Sequence, residues 1–162
     1  SRLFRDVRSR QGLAYSVGSR IVPGNAGPGV FMMQALTKGP STHQALASML
    51  DHLERLRQEP VSPEELQLAK DAFLNSFVFS FADAGLIVGQ LMALEYHGLP
   101  KDFLQRFRDS VVRLTRKDLL RVARQHLHPD RVIILAVGKD TDFEKPLSSF
   151  GRVTVLTLKP GG

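Results

Sequence analysis

The sequence predicts an α+β domain, a mostly antiparallel sheet packed on one face by several helices, and three observations predict it. Two runs of alternating polarity, Leu13 to Val22 and Val30 to Thr37, flank a turn rich in Gly and Pro. A series of stretches with helical apolar spacing follows, and two short runs rich in valine, Val132 to Val137 and Val153 to Leu158, close the chain. Strands, then helices, then strands is the order of helices packed against one sheet.

The opening residues read as a helix, because Leu3, Phe4 and Val7 fall on one side of it with arginines around the rest. Gly12 stands where a helix end calls for a left-handed residue, and arginines fill the last turn, where the helix dipole favours cations. From Leu13 the period becomes two, so the helix turns straight into a strand. Alternation puts Leu13, Tyr15, Val17, Ser19 and Ile21 on one side of it. Pro23 to Gly29 holds three glycines and two prolines, and with the Val30 to Thr37 run makes a hairpin.

Ser41 and Gln44 have capping-box spacing before the apolar stripe Leu46, Met49, Leu50, Leu53 and Leu56. Ser62 and Glu65 repeat that spacing, with Pro63 at the first helical position. Leu66, Ala69, Phe73 and Phe77 carry this helix to a bend at Asp83-Ala84-Gly85, and helical packing resumes from Ile87 until Gly98-Leu99-Pro100 stops it. Phe103, Leu104, Phe107 and Val111 define the next helix, and Thr115 to Asp118 caps the one after. Val132 to Val137 is apolar throughout, as a strand buried on both faces would be; Val153 to Leu158 reads as an edge strand, and Lys159 onward as loop.

Across the opening turn, L-F-x-x-V-R-x-x-x-G-L-A-Y-S-V resembles a motif of the M16 zinc metallopeptidases (insulinase, pitrilysin, processing peptidase), in their non-catalytic half. The resemblance continues through Glu64-Glu65-Leu66 to Ala69-Lys70, Gly98-Leu99-Pro100 and the helix from Thr115, and so covers about Leu3 to Gly138. It implies that Arg8 and Tyr15 line a closed chamber opposite the zinc. Arg8 would contact the substrate backbone, and Tyr15 would act catalytically by donating to the oxyanion at the scissile carbonyl. The opening strand and glycine-rich link that precede this helix in a complete family domain do not precede it here. Residues 1–162 are therefore expected to be one M16-like domain, truncated at its front, from a longer chain. The absent strand is expected to leave an unpaired sheet edge.

The family's zinc motif, H-x-x-E-H, occurs at none of His43, His52, His97, His126 and His128. No metal site is expected in this chain, and the zinc is expected in a catalytic H-x-x-E-H half, fused or separate. Zero cysteines exclude disulfides and thiolate metal sites, and no apolar run approaches the roughly 20 residues of a membrane span. The composition, 43% hydrophobic and 23% charged, is that of a globular domain, and the compartment stays open between cytoplasm and periplasm or secretion.

Function by resemblance is thus the non-catalytic wall of a zinc metallopeptidase, with a peptide as substrate. A catalytically inactive structural or assembly subunit is the alternative. A net charge of +6, concentrated at Arg2, Arg5, Arg8, Arg10 and Arg20, keeps a basic nucleic-acid-binding module in view. Nucleic acid is not the expected partner, because no aromatics interleave with the basic residues as a base-stacking platform requires.

Overall fold

The opening helix is wider than an α-helix. Over Phe4–Arg10 it is π-helical, and the Gln11 N–H donates to the Asp6 carbonyl, five residues back, at 2.9 Å. The widening persists through the helix end, where Gly12 N–H reaches Arg8 O (3.1 Å) and Leu13 N–H reaches Val7 O (3.0 Å). Gly12 has φ +66°, the left-handed conformation expected of it. Leu3 and Val7 face inward as expected, but Phe4 does not: it is 43% exposed, with the Arg8 guanidinium 4.7 Å above its ring centre.

This computed structural model describes residues 1–22, 24, 27–79 and 81–156. Strand β1 (Ala14–Val22) pairs antiparallel with β2 (Val30–Thr37), in continuous register from Ser16↔Leu36 to Val22↔Val30. Of the turn expected between them, Pro23, Asn25 and Ala26 lie outside the described residues, as do Thr157 and Leu158 of the last expected strand and the loop from Lys159. Helices α1 (Thr42–Gln58), α2 (Pro63–Phe79), α3 (Ala84–Tyr96), α4 (Phe103–Arg113) and α5 (Arg116–His126) follow. The α+β class is as the sequence predicts.

The chain falls into two compact units, Leu56–His126 and the residues on either side of it. In the flanking unit the core is Leu3, Val7, Leu13, Ala14, Ala45 and Met49, with Val17 and Met33 packed against it. It joins the opening helix and hairpin to one face of α1. That helix is entered through a 3₁₀ turn, Gly39–Ser41, in place of the expected Ser41/Gln44 box. Thr42 Oγ1 donates to the Lys38 carbonyl (3.1 Å) and accepts from Thr37 Oγ1 (2.8 Å), tying the end of β2 to the start of α1.

The other unit is held by aromatic rings the helical spacing had placed. Phe73 meets Phe107 edge-on at 5.5 Å, joining α2 to α4. The Ser62/Glu65 box closes reciprocally, Ser62 N–H to Glu65 Oε2 (3.0 Å) and Glu65 N–H to Ser62 Oγ (3.2 Å). Thr115 and Asp118 do the same for α5. Asp83 is the N-cap of α3, accepting from Leu86 N–H at 2.9 Å, so the expected bend is a fresh helix start.

Two strand expectations fail. Val132 to Val137 has no ladder partner among the described residues, and Ile133 is 98% exposed. Val153 to Leu156 is likewise unladdered. Their composition is that of strands, but a strand needs a neighbour at about 4.8 Å to hydrogen-bond with.

Asp6 joins the opening helix to α1. Its Oδ2 accepts from His52 Nε2 (2.7 Å), and its Oδ1 from Gln11 Nε2 (3.0 Å) and Arg10 Nε (2.7 Å). A carboxylate only accepts, so His52 carries its proton on Nε2. The Asp6 carboxyl is held at about 2, below its ordinary 3.8, chiefly by the Gln11 amide. Burial opposes this, and the His52 and Arg10 bonds reinforce it. A depressed acid binds fewer protons folded than unfolded, so its stabilisation is full above its unfolded value and fades as pH falls through its folded one.

Asp6→Asn is therefore expected to lower unfolding free energy by about 1–3 kcal/mol at neutral pH. The gap from the wild type should narrow from about pH 4 down to about pH 2. Denaturant melts across that range check it, and a gap independent of pH contradicts it. A second expectation concerns Gly12, whose added Cβ would meet nothing within 4 Å, so that only the backbone resists substitution. Gly12→Ala should cost about 1–2 kcal/mol and Gly12→Asn less, measured as thermal stability; an alanine variant as stable as the wild type refutes this.

Candidate functional site

Arg8 and Tyr15 stand on opposite sides of the turn just described. Arg8 is exposed in the last turn of the π-helix. Its guanidinium lies over the Phe4 ring, an i, i+4 pair whose cation–π contact limits where the charge can go. Cooperating donors on a planar fork suit a carboxylate or a pair of peptide carbonyls.

Tyr15 is displayed by a fault in the strand. Ala14 pairs with Thr37 and Ser16 with Leu36, so one residue of β1, Tyr15, has no partner opposite it. Such a bulge re-aims side chains. Simple alternation put Tyr15 on the same side as Leu13 and Val17, and the structure corrects this. Leu13 and Ala14 are both buried, Val17 packs against the core, and Tyr15 is 58% exposed.

Three residues near Arg8 and Tyr15 make contacts that local sequence rules do not reveal. Phe4 shares the apolar side of the opening helix with Leu3 and Val7 by spacing, but it stacks under Arg8, four residues on, rather than joining the core. His52, which matches no metal motif, is 7% exposed, lies between Met49 and Leu53 on the buried face of α1, and meets Asp6. Gln11 also carried no signal, and it bonds both Asp6 and Ser48.

No group of three or more His, Cys, Asp or Glu able to hold a metal occurs among the described residues, so the side chains present do not fit a zinc site. His43 pairs with Ser149 (Nε2 to Oγ 2.8 Å), which resembles half of a nucleophile–base pair. Ser149 Oγ, however, donates to the Pro146 carbonyl at 3.0 Å, leaving His43 as the donor and not the base. No single helix among the described residues is long and apolar enough to cross a membrane.

Residues 1–73 match the family profile described as the peptidase M16 inactive domain. A zinc protease of Streptomyces coelicolor, itself uncharacterized, is 31% identical over 91 residues, 56% of this chain and 20% of that protein. The crystal structure of a peptidase M16 inactive domain from Pseudomonas fluorescens superposes with a TM-score of 0.68 at 30% identity, covering 80% of this chain and 31% of that one. The inactive peptidase domain of a protein assigned as a zinc protease from Bordetella parapertussis gives 0.63 at 26% identity, covering 74% of this chain and 63% of that one. The chain thus spans about a fifth of the curated relative and less than two thirds of either solved neighbour. Over its opening 73 residues by sequence, and over most of its length by fold, the chain is similar to M16 peptidase inactive domains.

Proposed function

We propose that residues 1–162 act as one domain of a longer M16 protein, forming the peptide-binding wall that faces a catalytic half. The observation that carries this reading is the bulge, which holds Tyr15 outward seven residues after Arg8.

In this reading a peptide lies across the Arg8 and Tyr15 surface. The Arg8 guanidinium, steadied by Phe4, donates to substrate carbonyls or to a terminal carboxylate. The Tyr15 hydroxyl donates to the carbonyl oxygen under attack, where the bond strengthens as negative charge grows. The zinc belongs to the H-x-x-E-H half, and this chain contributes binding, orientation and one donor.

The denser arginine group lends less support to nucleic acid. Arg10 is tied to Asp6, Arg20 donates to Met32 Sδ (3.5 Å), and Arg8 lies on Phe4. That is not a row of free cations along a backbone-tracking groove.

In the protein assembled with its catalytic half, Tyr15→Phe is expected to lower kcat by about 10²–10³, the usual effect of losing an oxyanion donor. Arg8→Ala should raise KM more than it lowers kcat if its contact is equal in ground and transition states. Steady-state hydrolysis of a fluorogenic peptide measures both. Unchanged constants in the two variants would leave Arg8 and Tyr15 as structural residues.

A further inference from the structure

Four side chains form a chain of hydrogen bonds that closes on α1, beside the Arg8 and Tyr15 turn. Asp6 Oδ2 accepts from His52 Nε2 (2.7 Å), and Asp6 Oδ1 from Gln11 Nε2 (3.0 Å). Gln11 Nε2 also donates to Ser48 Oγ (3.1 Å), and Ser48 stands one turn before His52 on α1. The circuit therefore runs Asp6, Gln11, Ser48, the α1 backbone and His52.

Its geometry depends on the π-helix. In an α-helix, residues four apart lie over one another, whereas Asp6 and Gln11 are five apart. Widening by one residue stacks them, and the backbone bond from Gln11 N–H to Asp6 O marks the same turn. If the turn tightened to α geometry, Gln11 would move away from Asp6 and the circuit would open. The circuit and the widened turn thus stabilise one another. Wider turns of this kind frequently sit at functional sites.

Arg8 lies inside this turn, and its carbonyl accepts the Gly12 N–H at 3.1 Å, the bond that starts the reversal into the strand carrying Tyr15. We propose that Asp6, Gln11, Ser48 and His52 are positioning residues for the peptide-binding pair. They lock the π-helical turn that fixes the placement of the Arg8 fork relative to the Tyr15 hydroxyl. The inference rests on the reading of Arg8 and Tyr15 as substrate contacts. None of the four side chains touches peptide in it; they act through the backbone between Asp6 and Leu13. Misplacing a catalytic contact by about 1 Å can cost on the order of 10²-fold, so a small change in this turn suffices.

The test uses the complete protein with its catalytic half and a fluorogenic peptide. Gln11→Leu and Ser48→Ala, at partly buried positions where folding is least at risk, are compared with His52→Leu, His52→Gln, Arg8→Ala and Tyr15→Phe. Amide exchange at Gln11, Gly12 and Leu13 reports on the turn itself. Gln11→Leu and His52→Leu should speed that exchange and lower kcat/KM by about 10- to 100-fold. His52→Gln, which keeps an N–H donor at similar reach, should recover much of the loss, which a volume effect alone would not give. Wild-type kinetics in the Gln11, Ser48 and His52 variants, beside impaired Arg8→Ala and Tyr15→Phe, overturns this inference and leaves the parent reading standing. Wild-type kinetics in Arg8→Ala and Tyr15→Phe overturns both. Unchanged exchange in Gln11→Leu overturns the locking role whatever the kinetics.

Discussion

Val7 has no exposed surface, and most of what matters near the candidate site follows from that burial. With Leu3, Leu13 and Ala14 it packs on Ala45 and Met49 of α1, so opening helix, first strand and α1 share one apolar core. Burying such a side chain is worth about 1.5–3 kcal/mol, and it also fixes the rotation of the opening helix about its axis. With Val7 pointing in, Arg8 must point out. With Leu13 and Ala14 both buried, the strand must slip by a residue, and Tyr15 is left at the slip.

Polar contacts then refine what the core sets. Asp6 follows the buried face of the opening helix closely enough to reach His52, a polar residue on the buried stripe of α1. A buried histidine without a partner would carry a desolvation penalty, and a carboxylate supplies the acceptor its Nε2–H needs. The same carboxylate meets Gln11 and Arg10, so one side chain gathers the end of the helix. On the outward face Phe4 does for Arg8 what Asp6 does inside, limiting the volume its charge samples.

Much of this was legible in the sequence wherever the rule involved was local. The left-handed Gly12, the reciprocal box at Ser62 and Glu65, the Thr115 cap and both strands of the hairpin are set by neighbours within a few residues. Arg8 and Tyr15 stand out in the sequence because their motif spans a helix end, a glycine and a strand. What escaped needed partners distant in sequence. His52 lies 46 residues from Asp6, and nothing in its own surroundings announces the pair. The bulge at Tyr15 depends on how β2 lies alongside, which alternation within β1 cannot report. Val132 to Val137 has the composition of a strand, and composition does not provide the neighbour that a ladder requires.

In the proposed function, the bulged Tyr15 and the Phe4-steadied Arg8 form a surface that holds peptide backbone. A crystal structure of the complete protein with a bound, uncleavable peptide tests it most directly. The Arg8 guanidinium and the Tyr15 hydroxyl are each expected within about 3.2 Å of a peptide oxygen, with the π-helical turn intact. A peptide bound elsewhere, with Arg8 and Tyr15 both facing solvent, would contradict it.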